Sequence, residues 1–230
     1  MAAHHDIPLP QTRKDADDVP AIAERIMQAA IQLFGRKGYS ATSVREIVQE
    51  ADVTNPMLYY YFDSKEGLFR KLMDFLFHYM QERIEVIVED DSLNLNGKIC
   101  AITRSHLEGV RDHPEVLRFV YSAIFGPTES RPDIDVHAMH MRTHNMVEQM
   151  FAEAIEAGEI ALARPNLDAS RCAELLLGAI NQDLMRTLGV LEIYPDDPNM
   201  VEHLTGAQAV ERITAFFLGG VGTIGKDTQS

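Results

Sequence analysis

Between Ser43 and Phe62 the spacing predicts two helices of about eight residues joined by a turn of three. Ser43, with Glu46 three positions later, is a capping-box signature, and it opens a short helix that carries Val44, Ile47 and Val48. That helix ends near Ala51 and Asp52 occupies the turn. Thr54 is the N-cap of the second short helix, where Pro56 is harmless because first-turn amides have no intrahelical partner. Two such helices packed under a longer first one make a helix-turn-helix, whose second helix is shaped to enter a DNA major groove. Here that second helix holds Tyr59-Tyr60-Tyr61-Phe62. Successive helical residues point about 100° apart, so the aromatic run cannot all enter one core. Leu58 should face inward with Phe62 or Tyr61, leaving Tyr59 and Tyr60 outside, where phenolic hydroxyls can bond phosphates and fix register without reading sequence.

The remaining periodicity is helical throughout. Ile22, Ile26, Ala30, Leu33 and Phe34 recur at steps of three and four from Pro20, and Gly38 closes that first helix. Asp63 or Ser64 caps a fourth helix, in which Leu68, Phe69, Leu72, Met73, Leu76, Met80, Ile84 and Ile87 keep the spacing to about Glu89. At 1.5 Å per residue such a helix is about 39 Å long, enough to join two domains. Further helices are expected at 94–111, at 114–125 opening on Pro114, at 133–157, at 168–188 and at 199–218, about nine in all. No segment reads as a strand. The expected fold is all-α, with a disordered tail at 1–18, a three-helix head at 19–67, a larger helical body at 68–218 and a flexible tail at 219–230.

Charge adds a constraint. The 230 residues carry a net charge of -14, which argues against phosphate binding by the chain as a whole. Residues 21–75, however, hold seven Lys/Arg and seven Asp/Glu, against twelve and twenty-four in residues 76–230. A neutral head on an acidic body leaves only the head to approach DNA. Cys100 and Cys172 are too few and too far apart for a disulfide framework or a zinc site. No apolar run approaches a membrane span, and the first twenty residues lack the apolar centre of a signal peptide, so a cytoplasmic protein is expected.

The run Ala29-Ala30, Leu33-Phe34, Gly38-Tyr39, Ala41-Thr42-Ser43-Val44, Ile47, Ala51-Asp52-Val53-Thr54 and Leu58-Tyr59-Tyr60-Tyr61-Phe62-Asp63-Ser64-Lys65-Glu66-Gly67-Leu68 resembles the DNA-binding signature of the tetracycline-repressor (TetR) family of transcriptional regulators. The resemblance covers about 50 residues. It implies a three-helix head and a helical body that binds an effector and dimerises. By position it places Thr42, Thr54, Tyr59 and Lys65 at phosphates and Arg45, Asn55 and Met57 near base edges or groove walls, with Ser43, Pro56 and Tyr60 completing the contact set. Asp52 stands where the family often has a turn glycine, Asn55 where it often has Lys, and Pro56 where it often has Gly.

Rival chemistries lack their motifs. A carboxylate-bridged di-iron site needs Glu-x-x-His, and none of the nine histidines has Glu three positions before it. Gly220-Val-Gly-Thr-Ile-Gly225 spells a dinucleotide fingerprint, but no strand precedes it and five residues follow it. No nucleophile turn or P-loop is present, so neither an enzyme nor a cofactor is expected. His137, His140 and His144 share a helix face with Met141, an incomplete metal shell without a carboxylate and more in keeping with an organic pocket. Mixed aromatic and polar positions on the middle helices make Phe75, Tyr79, His106, Phe119, Tyr121, His140, Met141 and His144 the candidate effector contacts. The apolar faces of the last two helices are wider than a single core needs, which places Leu176, Ile180, Leu184, Ile213, Phe216 and Phe217 at a two-fold contact with a second copy. The implied partners are duplex DNA, a second copy and a small molecule.

Overall fold

In the computed structural model, which describes residues 19–194 and 197–224, the helical periodicity resolves into ten α-helices. They are α1 Val19–Lys37, α2 Val44–Glu50, α3 Asn55–Phe62, α4 Lys65–Val88, α5 Leu95–Asp112, α6 Pro114–Phe125, α7 Val136–Glu156, α8 Ala169–Ile193, α9 Pro198–Thr205 and α10 Ala207–Val221. The expected segment at 199–218 is two helices, because Gly206 leaves the helical conformation (φ -78°, ψ -175°) and its N–H returns to Glu202 O as a C-cap. Helix α8 runs past Gly189 to Ile193: one glycine costs a helix about 1 kcal/mol, and burial of Thr187 and Leu191 on either side carries the helix through it.

The described residues form two packed units. The first takes in residues 19–79 and 112–136, the second 80–111 and the described part of 137–224. Helix α4 therefore contributes residues to both, and α6 packs with the head helices. The first core is built on three rings. Phe34 of α1 lies 5.6 Å from Phe69 of α4 and 5.8 Å from Phe119 of α6, and Phe69 and Phe119 meet edge to face at 5.4 Å. Each fully buried ring contributes about 1.5–3 kcal/mol over exposure. Phe119, expected to line an effector pocket, is thus a core ring of the first unit. Gly35 lets the helices approach this closely: a Cβ there would stand 3.2 Å from Glu115 O and Phe119 N.

In the second unit α10 packs on α8 and α9, with Phe151 of α7 5.8 Å from Phe217 of α10. Arg83 Nε donates to Ser105 Oγ at 2.9 Å, and Glu159 accepts the Leu95 N–H at 2.9 Å to cap α5. Two short strands were not expected. β1 (Ile160–Leu162) pairs antiparallel with β2 (Gly222–Ile224), matching Ile160 to Ile224 and Leu162 to Gly222. Three residues are too few to show alternation, and the partners are some sixty residues apart. Residues 222–224, expected in a flexible tail, are therefore paired, while 225–230 and the N-terminal tail at 1–18 lie outside the described residues.

Five of the six residues expected at a subunit contact belong to this core instead. Leu176, Ile180, Leu184, Ile213 and Phe217 are buried within the single chain, and Phe216 alone is exposed, at 80%. The apolar side chains that α8 leaves outside are Leu175, Met185 and Ile193.

Candidate nucleic-acid interface

The head presents α3 by fixing both of its ends. At α2 the capping box is complete: Ser43 Oγ accepts the Glu46 N–H at 3.3 Å, and Glu46 Oε2 accepts the Ser43 N–H at 2.9 Å. Lys37 reaches the other Glu46 oxygen at 2.5 Å, and this bond, followed by those from Ser43, holds the Glu46 carboxyl down to about 2. The turn into α3 passes through Asp52 at φ +50°, a left-handed conformation that Asp adopts more readily than most residues. Thr54 N-caps α3 with extended backbone, and its side chain makes no cap hydrogen bond. At the far end Asp63 turns left-handed (φ +61°) and gives its N–H to Tyr59 O, after which Ser64 Oγ accepts the Gly67 N–H and caps α4. A Cβ at Gly67 would lie 2.1 Å from Phe62 O, so only glycine allows α4 to start this close to α3.

Between these fixed ends α3 buries Leu58 and Phe62 and exposes Asn55, Pro56, Met57, Tyr59 and Tyr60, the last at 79%. Tyr61 is half-buried, its ring edge to face with Tyr60 at 5.0 Å. Arg45 and Thr54 are also exposed, so eight of the ten expected contacts, Ser43 included, are open to solvent. The Ser43 hydroxyl is engaged in the cap.

Two expected contacts are placed otherwise. Thr42 is buried and its hydroxyl donates to Gly38 O at 2.8 Å, so it has no free hydroxyl for a phosphate. Lys65 Nζ donates to Tyr39 O at 3.0 Å and Thr42 O at 2.8 Å and lies 4.0 Å above the Tyr39 ring. Desolvation lowers the Lys65 pKa, and burial followed by the nearby Glu66 raises that of Tyr39. Lys65 therefore ties the start of α4 to the loop between α1 and α2. Helical periodicity could not reveal Tyr39 as its partner, 26 residues away.

A family model for bacterial regulatory proteins of the tetR family matches residues 26–72, the segment from the middle of α1 into α4. The head, residues 26–72, is thus of the TetR-family type. It is 30% identical over 138 residues to the "Probable HTH-type transcriptional regulator YttP" of Bacillus subtilis, covering 59% of this chain and 64% of that one. It is 32% identical over 76 residues, 32% of this chain, to IcaR of Staphylococcus epidermidis, a negative transcriptional regulator of the biofilm operon icaADBC. That match covers 40% of IcaR, so the chain spans less than two thirds of the length of either relative. The likeness in fold extends beyond the head: the crystal structure of the transcriptional regulator FadR from Bacillus subtilis, solved with stearoyl-CoA, superposes with a TM-score of 0.65 at 17% identity over 86% of this chain and 98% of that one.

The body residues singled out from sequence fall in different units. Phe75 and Tyr79 stack at 6.2 Å, and Tyr121, whose pKa is pushed up to about 12 by burial, meets Phe125 edge to face, all in the first unit. His106, His140, Met141 and His144 belong to the second. His106 Nδ1 donates to Ile102 O at 2.8 Å, and its pKa is lowered by desolvation. His137 and His140 are exposed, whereas His144 is buried with Nδ1 3.4 Å from Glu148. Among the described residues no group of three His, Cys, Asp or Glu is placed to hold a metal ion, and no helix is long and apolar enough to cross a membrane.

Proposed function

We propose that this chain is a TetR-family repressor that binds a palindromic operator as a homodimer and is released by a small-molecule effector. The observation that carries the reading is the partition of α3, with Leu58 and Phe62 in the core and Asn55, Pro56, Met57, Tyr59 and Tyr60 outside between two rigid turns. Arg45, Asn55 and Met57 would address base edges and groove walls, Asn being able to pair with adenine through two hydrogen bonds. Thr54 and Tyr59 would hold phosphates, Tyr60 and Pro56 would sit at the groove rim, and Lys65 would set the angle of the reading helix. Negative regulation by IcaR supports repression, and the stearoyl-CoA in the FadR structure supports a small-molecule effector.

Dimerisation is supported by the outer faces of α8 and α10. Leu175, Gly178, Met185, Gly189 and Ile193 recur at helical spacing on one, with Phe216 and Gly219 on the other. Nothing stands within 4 Å of a Cβ built at Gly178, Gly189 or Gly219, so a second copy could approach these backbones closely. The effector must bind one head arrangement better than the other, since only differential affinity can release DNA. Selection of bound genomic fragments followed by footprinting tests the reading. The expected result is an inverted repeat with half-sites about 34 Å apart or a little more, protected by a dimer in sedimentation. A single unrepeated site bound by a monomer would contradict it.

A further inference from the structure

Buried threonines on helices normally return their hydroxyl to the carbonyl one turn back, and this chain provides its own controls. Thr103 donates to Ile99 O and Thr205 to Val201 O, at 2.8 and 2.7 Å. Thr187 on α8 does not. It is 0% exposed and its Oγ1 has no hydrogen-bond partner. One turn earlier, Asp183 shows the same deficit. Its Oδ1 accepts from Arg186 at 2.7 and 3.1 Å, while its Oδ2 is buried and unpartnered. Residues four apart lie over one another on a helix, so a carboxylate oxygen and a hydroxyl share one stretch of α8 beside the buried Ile180, Leu184 and Leu191. Leaving two such groups buried and unsatisfied is costly, which makes them candidates for a ligand's polar end.

We propose that Asp183 and Thr187 form the polar end of an effector site in the second unit, and that its ligand carries a hydrogen-bond-donating head, a protonated amine or a hydroxyl, on an apolar body. A carboxylate oxygen only accepts, so the head must donate, and a carboxylate or phosphate head would meet a like charge. The proposal rests on the reading of the body as an effector-binding unit.

Decylamine, 1-decanol and decanoate, alike in chain and different in head, provide the test by equilibrium dialysis on the full chain. The amine and the alcohol should bind more tightly than decanoate, and Asp183→Asn and Thr187→Val should each weaken that binding about tenfold or more. Without ligand, Thr187→Val should melt at or above the parent's temperature, by up to about 2–4 °C, because it removes an unsatisfied hydroxyl. A lower melting temperature would show a structural role and overturn the proposal. Decanoate binding as well as the amine, no binding by any probe, or binding indifferent to both variants would also overturn it. Operator release is measured separately. A carboxylate that binds and frees DNA sinks the donor-head site but leaves the effector-binding body, whereas an amine held by Asp183 with no effect on DNA leaves the site and sinks the effector reading.

Discussion

Helices α3 and α8 both carry apolar side chains on more than one face, and their orientations differed in how well they could be read. In α3 the inward pair Leu58 and Phe62 and the outward Tyr59 and Tyr60 lie where spacing placed them. In α8 the spacing found the apolar band, yet Leu176, Ile180 and Leu184, expected outside, are core. The difference lies in the constraints at the ends. Eight residues held between the left-handed Asp52 and Asp63, with Gly67 against Phe62 O, have one way to face. Twenty-five residues with a band wider than one core can rotate within it, and only packing against α9 and α10 decides which edge goes inside. A partner-facing surface on a long helix is therefore to be sought at the margin of its apolar band, at Leu175, Met185 and Ile193, rather than at its centre.

Charged substitutions at the two edges of that band give the largest effect. Leu176→Asp, at a fully buried position, should cost more than about 4 kcal/mol and abolish cooperative unfolding by circular dichroism. Phe216→Asp, at an exposed one, should keep the fold within about 0.5 kcal/mol per chain and yield monomers in sedimentation. A folded, monomeric Leu176→Asp would restore the original placing of the interface. The same contrast applies to α3 on a smaller scale. Leu58→Ala should lower stability by about 2–5 kcal/mol, whereas Tyr60→Ala should change it by less than about 0.5 kcal/mol and weaken DNA binding. Equal melting temperatures for the two would show that α3 is not seated on Leu58.

The smallest expected effect concerns the clamp before α3. Because the Glu46 carboxyl is held near 2 against an ordinary 4.5, its contribution to folding is complete above about 4.5 and is lost as the pH falls toward 2. Glu46→Gln should flatten the acid side of the stability profile in thermal melts across that window. An unchanged slope would mean that the Lys37 and Ser43 bonds do not form in solution.

The head was legible because its signals are local. The capping box, the left-handed turn residue and the paired spacing of Leu58 and Phe62 each act within a few residues. Thr42 and Lys65 were placed at phosphates by resemblance alone, because the carbonyl partners of Lys65 at Tyr39 and Thr42 are distant in sequence and the Thr42 bond to Gly38 O leaves no trace in periodicity. Phe119 was assigned to a pocket since an aromatic on a middle helix does not reveal that α6 docks on α1. The β1 and β2 pairing and the orphaned Asp183 and Thr187 depend on packing alone.

The central claim is that the outward face of α3 reads DNA sequence. Its most direct test is competition between a selected operator and a scrambled duplex at one fixed salt concentration, for the parent and for Asn55→Ala combined with Met57→Ala. Both side chains are exposed, so the double variant should melt with the parent. Losing base-edge contacts worth about 1–3 kcal/mol should reduce the preference for the operator about tenfold or more while largely sparing binding to scrambled DNA. A variant that folds normally and keeps the parent's full preference would contradict the assignment of α3 as the reading helix.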